Sequence, residues 1–186
     1  MSKIILVTGG ARSGKSRYAE KIADELSGKV LYVATAKAID EEMKDRIAHH
    51  RLGRPPEWQT FEGYKGFENA RFTELAKSFE VVLVDCLTIM SSNILLDFIG
   101  DDYVYTVESA EQIERKVLIE VNNLMNSLEE AGVVAIFVTN EVGMGLVPEF
   151  PIGRLFRDIS GRVNQRVADR ASEVYFCVCG IPMKVK

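Results

Sequence analysis

Apolar, β-branched runs alternate along this chain with stretches whose apolar residues recur every three or four positions. Lys3 to Thr8 reads as a buried strand, and Arg17 to Leu26 places Ala19, Ile22, Ala23 and Leu26 on one helical face. Val30 to Thr35 is a second strand, followed by a helical stretch, Glu41 to His50, with Met43, Ile47 and His50 at helical spacing. Pro55-Pro56 then breaks the chain. Trp58 to Phe61 predicts a short strand and Phe67 to Phe79 a helix. Val81 to Asp85 is an unbroken apolar strand ending in a carboxylate, and Leu87 to Ile99 is helical. Gly100 to Thr106 is an acidic, aromatic loop ahead of a long amphipathic helix, Glu108 to Ala131, which Gly132 closes. Val133 to Thr139 is another buried strand. Asn140 to Pro151 is broken by glycine and proline and reads as a functional loop. A basic helix, Ile152 to Ala171, leads into a hairpin of Glu173 to Val178 and Pro182 to Val185, turned at Gly180-Ile181. Strands separated by helices predict an α/β fold: a mostly parallel sheet flanked by helices, with an antiparallel C-terminal hairpin. No linker, repeat or low-complexity segment divides residues 1–186, so one domain is expected.

Composition narrows the function classes. At 186 residues and 47% hydrophobic content, the chain can bury a sizeable core. A net charge of −4 gives no general attraction to nucleic acid or to an anionic membrane. No apolar run approaches the ~20 residues that span a bilayer. The first strand begins at once, leaving no room for a cleaved signal peptide. Cys86, Cys177 and Cys179 sit in apolar, strand-like runs and are read as core cysteines, too few for a disulfide framework. A reducing cytoplasm is the expected compartment.

The sharpest chemistry lies between the first strand and the first helix. Gly9, Gly10, Ala11, Arg12, Ser13, Gly14, Lys15 and Ser16 complete the G-x-x-x-x-G-K-[ST] pattern of a P-loop. Glycines let successive backbone N–H groups turn toward phosphate oxygens, and the new helix adds its positive dipole end. Lys15 supplies a point charge for the terminal phosphates, and Ser16 can hold Mg2+. Nucleoside triphosphate binding follows from the motif in this setting.

Asp85 ends the Val81–Val84 run, where ligands of open α/β sheets gather, and can hold or orient the same Mg2+. It can equally cap the next helix. His49 and His50, the two histidines of the chain, are flanked by Arg46, Arg51 and Arg54. A neutral imidazole attacks phosphorus well, and guanidinium groups neutralise phosphate oxygens. The same residues also suit a solvated helix end. Arg154, Arg157, Arg162, Arg166 and Arg170 form a stripe that reads mainly as a solvated face paired with acids such as Asp158 and Asp169.

Together these motifs resemble the bifunctional adenosylcobinamide kinase/adenosylcobinamide-phosphate guanylyltransferases of cobalamin biosynthesis, over nearly the whole chain. The resemblance is carried by Thr8 to Arg17, Tyr32 to Ala36, Arg46 to His50, Gly53-Arg54-Pro55 with Trp58, Thr139 to Pro148, and Phe156 to Gln165. It implies a RecA-like P-loop NTPase fold and two reactions. A nucleoside triphosphate, ATP or GTP, phosphorylates adenosylcobinamide. GTP then gives its GMP to a histidine, from which adenosylcobinamide phosphate takes it. The family's histidine falls in His49-His50, with His50 before Arg51 the better match. The nucleotide is expected to touch Gly9 to Ser16, Ala34, Thr35, Ala36, Arg51, Leu52, Gly53, Arg54, Glu62 and Asp85. A homotrimer is also implied. Three other readings remain: a single-activity P-loop small-molecule kinase, a GTP-dependent switch, and a nucleic-acid-dependent ATPase. The switch lacks an Asn-Lys-x-Asp motif, and the ATPase is disfavoured by the acidic balance.

Overall fold

The four strands that the sequence writes as uninterrupted apolar runs lie side by side at the centre of one sheet. The computed structural model describes residues 2–37, 41, 55–100 and 105–186. Its strands are β1 (Lys3–Gly9), β2 (Val30–Ala34), β3 (Gln59–Glu62), β4 (Val81–Asp85), β5 (Val134–Asn140), β6 (Glu173–Val178) and β7 (Ile181–Lys184). The helices are α1 (Lys15–Leu26), α2 (Ala70–Ala76), α3 (Leu87–Phe98), α4 (Val107–Ala131) and α5 (Pro151–Arg170). The seven strands run in the order β3-β2-β4-β5-β1-β6-β7. Every neighbouring pair is parallel except the last, β6 with β7.

Alternate residues of the central strands feed two cores. Ile4, Leu6, Leu31, Val33, Val82, Val84, Ala135 and Phe137 pack against α2, α3, α4 and α5. Ile5, Val7, Val30, Tyr32, Val81, Leu83, Ile136 and Val138 point the other way, toward Ala19 and Ala23 of α1 and toward Trp58. Burial on both faces explains why these strands read as continuous apolar runs rather than alternating ones.

Local chemistry sets most element ends near their expected places. Thr106 and Ser109 cap α4 reciprocally, and Gly132 closes it at φ 75°. Pro151 opens α5, whose Leu155, Ile159, Val163 and Val167 are buried at four-residue spacing. α2 starts later than the expected Phe67, because Asn69 caps it by accepting from Arg71 N–H, and it ends at Ala76 rather than Phe79. Phe67 is fully buried in the loop ahead.

The C-terminal hairpin turns one residue earlier than expected. Cys179 and Gly180 both take positive φ, 52° and 81°, as a two-residue type I′ connection requires. Cys179 is consequently exposed, not part of the core, whereas Cys86 and Cys177 are buried as expected. The expected helix Glu41–His50 falls, beyond Glu41, outside the described residues, as do residues 101–104.

Candidate nucleotide and transfer site

Residues of the phosphate motif leave β1 at the carboxyl edge of the sheet and re-enter the chain's first helix. Gly10 O accepts from Ser13 N–H at 3.3 Å, closing the turn. It also accepts from Lys15 Nζ at 3.1 Å, so the amine lies over the loop. Gly14, at φ 89°, precedes Lys15 and Ser16, whose N–H groups open the first turn of α1. A phosphate at this loop meets a helix N-terminus and a nearly buried cation together.

Two close approaches dictate glycine. A Cβ on Gly9 would stand 2.5 Å from the Cys177 carbonyl oxygen. One on Gly14 would stand 3.0 Å from Gly180 Cα. The hairpin turn supports the loop directly, with Gly180 N–H donating to Ser13 O at 2.9 Å.

Strand register collects the other expected residues into a row. Ala34 pairs with Glu62 on one side and Asp85 on the other, and Asp85 pairs with Val138, which pairs with Val7. Glu62, Ala34 and Asp85 therefore stand level at the carboxyl edge, four, three and two strands from β1, which puts Asp85 about 10 Å from it. Asp85 accepts from Tyr32 Oη at 2.9 Å. Burial and the adjacent Asp85 carboxylate push the Cys86 thiol up to about 12, with Lys15 acting in the opposite direction. Lys15 also opposes the upward push that burial gives Cys177. Lys15 and Asp85 thus act on one neighbourhood from opposite sides. The chemistry of the donor set, one hydroxyl from Ser16 and one carboxylate from Asp85, fits Mg2+, a hard cation that takes its remaining oxygens from phosphate and water. Among the described residues, no cluster of three or more His, Cys, Asp or Glu side chains offers an all-protein cage.

Thr35 serves this edge as a strut. Its Oγ1 donates to Cys86 O at 2.8 Å and accepts from Cys86 N–H at 2.9 Å. Its N–H donates to Asp85 O, and its carbonyl accepts from Asn93 Nδ2 at 2.8 Å. With its side chain and both peptide groups turned inward, Thr35 anchors the end of β2, where Ala34 pairs with Asp85 of β4. His49, His50, Arg51, Leu52, Gly53 and Arg54 lie outside the described residues.

The arginine stripe is structural over most of its length. Arg162 pairs with Glu114, Arg166 Nε donates to Asn122 Oδ1 at 3.0 Å, and Arg170 pairs with Glu129 at 2.6 Å. All three tie α5 to α4. Arg154 instead donates to Pro148 O and Glu149 O, shaping the end of the loop after β5.

A model of the family described as cobinamide kinase / cobinamide phosphate guanyltransferase matches residues 5–185. The chain belongs to that family. It is 43% identical over 189 residues to the bifunctional adenosylcobalamin biosynthesis protein CobU of Escherichia coli strain K12, covering 98% of this chain and 99% of the relative. CobU of Salmonella typhimurium is likewise 43% identical, over 183 residues and 98% of this chain and 99% of the relative. The bifunctional protein CobP of Pseudomonas aeruginosa is 39% identical over 183 residues, 97% of this chain and 96% of the relative. The mostly parallel sheet, flanking helices and terminal antiparallel pair are those of a P-loop NTPase.

In this member of the cobinamide kinase / guanyltransferase family, motif reading missed polar residues behind the site: Thr88, Asn93 and the side chains of Thr139 and Asn164. Thr139 Oγ1 donates to Asn164 Oδ1 at 2.7 Å, bringing together the strings Thr139–Pro148 and Phe156–Gln165. Those strings were the available signal, since both are specific and neither contains the P-loop.

Proposed function

We propose that the chain performs two transfers at one phosphate loop. In the first, the aminopropanol hydroxyl of adenosylcobinamide attacks the terminal phosphorus of ATP or GTP. The nucleoside diphosphate departs and the hydroxyl proton leaves to solvent or a carboxylate. In the second, an imidazole nitrogen of His50, or of neighbouring His49, attacks the α-phosphorus of GTP and expels pyrophosphate. A phosphate oxygen of adenosylcobinamide phosphate then attacks that phosphorus, the P–N bond breaks, and adenosyl-GDP-cobinamide leaves. The observation that carries this reading is a complete P-loop and a strand-end carboxylate at the same edge of the sheet, two strands apart, in a chain matching the family over residues 5–185.

The roles follow from chemistry. Backbone amides from Gly9 to Ser16 and the Lys15 ammonium hold phosphate oxygens where charge develops. Ser16 and Asp85 would hold Mg2+, which neutralises charge on the phosphates when bound. Ala34, Ala36, Glu62 and the Arg51–Arg54 segment are assigned to the guanine nucleotide. Arg51 and Arg54 supply cations beside the histidine. A homotrimer in the cytoplasm completes the reading, supported by the family resemblance. Among the described residues no helix is long and apolar enough to cross a membrane.

Incubation with GTP and adenosylcobinamide tests both steps at once. Mass spectrometry should find GDP-cobinamide and, without corrinoid, a GMP-modified peptide holding His49-His50. His50→Asn should abolish labelling while cobinamide phosphorylation survives. Phosphorylation with no labelled wild-type protein would leave a single-activity kinase. The P–N adduct should be acid-labile and alkali-stable. Its formation should fall as the imidazole protonates, near its ordinary pKa of about 6.5.

A further inference from the structure

Behind the carboxyl edge, a hydrogen-bond ring of four residues closes through the backbone N–H and C=O of Asn140. Asn140 N–H donates to Thr88 Oγ1 at 2.6 Å. Thr88 Oγ1 and Thr139 Oγ1 are 3.2 Å apart. Thr139 Oγ1 donates to Asn164 Oδ1 at 2.7 Å. Asn164 Nδ2 returns to Asn140 O at 3.2 Å. Each hydroxyl has a single proton. Thr139 gives its proton to Asn164, so Thr88 must give its own to Thr139. The ring therefore has one direction, and each member both donates and accepts within it. Thr88 and Thr139 are buried, and the participants come from α3, β5 and α5.

Asn140 is placed to matter. Asn140 pairs with Gly9, the first P-loop residue, and the next N–H, Glu141, donates to Gly9 O at 3.0 Å. Glu141 also starts the loop after β5, and its Oε1 accepts from Gly143 N–H at 2.7 Å. That loop exposes Met144, Leu146, Val147 and Phe150, a bulky apolar surface beginning directly beside the phosphate loop.

We infer that Thr88, Thr139 and Asn164 are positioning residues. Their ring fixes the peptide groups on both sides of Asn140, which set both the first P-loop glycine and the launch angle of the 141–150 loop toward the acceptor substrate. This rests on the two-transfer reading. Phosphates are gripped separately by Lys15 and the start of α1, so the ring governs alignment more than nucleotide affinity. Misaligned reacting groups lose rate steeply, up to about 10²-fold per ångström.

The test compares Thr88→Val, which keeps shape and removes the hydroxyl, with Thr88→Ser, which keeps the hydroxyl. Thr88→Val should lower kcat for adenosylcobinamide phosphorylation about tenfold, with Kd for GTP changed less than about threefold; Thr88→Ser should restore most of the rate. Asn164→Asp replaces the donor to Asn140 O with an acceptor. It should reproduce the Val phenotype, and it decides the matter if Thr88→Val does not fold. Amide hydrogen exchange in Thr88→Val should rise in residues 140–150 and 9–16 but not in α4. Unchanged kcat, equal impairment in Val and Ser variants, or unchanged exchange at 140–150 would each overturn the inference. If the wild-type protein transfers nothing to corrinoid, the functional reading fails and exchange alone decides the ring.

Discussion

In the proposed shared site, one cation, Lys15, serves both reactions. Its Nζ lies 3.1 Å from Gly10 O within the loop, and its charge is felt at both Cys86 and Cys177. Lys15→Ala should lower phosphorylation and guanylylation together, each by about 10²- to 10³-fold, the scale of removing one preorganised donor. Separate assays of the two products check this, and near-normal turnover in either would break the shared-site model. Thiol chemistry gives a second residue-scale test. At pH 8, iodoacetamide should label exposed Cys179 in the native protein and leave buried Cys86 and Cys177 unmodified; tryptic mapping reads the outcome. Residues of the phosphate-loop motif were legible because backbone geometry and charge constrain their types locally. Thr88 and Thr139 were not, because their partnership spans 51 positions and isolated threonines carry no spacing signal. Cys179 was misread because the residues before it continue a strand pattern, while its own backbone makes the turn.

At the level of elements, the edge beyond β1 depends on one carboxylate. Glu173 at the start of β6 pairs with Lys3 of β1 and, at 3.0 Å, with Lys184 of β7, and it accepts from Tyr175 Oη. Those partners hold its carboxyl down at about 2, from an ordinary value of 4.5. A depressed carboxyl stabilises the folded state above pH 4.5 and loses that contribution as pH falls from 4.5 toward 2. Wild-type protein should therefore lose thermal stability across this window. Glu173→Gln should melt lower at pH 7 and show a smaller fall on acidification, by calorimetry. Strands and helices were readable where periodicity was long, as in β4 and α4. Their ends were less so. Helix α2 starts late because an Asn69 cap outranks apolar spacing, and the hairpin turn moves because positive φ is required at two successive positions.

For the whole molecule, burial on both sides of the sheet is uneven among the described residues. Four helices cover one face, while α1 and Trp58 cover the other. Phe137 is fully buried on the four-helix side, so Phe137→Ala should cost about 3–5 kcal/mol in urea unfolding. Alternation of strand and helix foretold a parallel sheet. It could not say which face each helix takes, since a strand buried on both sides shows no polar face to orient it. The hairpin has a consequence of its own. The amide of Gly180 and the backbone at Cys177 form the floor under the phosphate loop, yet they follow every helix in chain order. A nascent chain still missing that stretch has its binding motif translated but unsupported. Truncating the chain before β6 removes that floor and should abolish stabilisation by nucleotide, read as a lost rise in melting temperature.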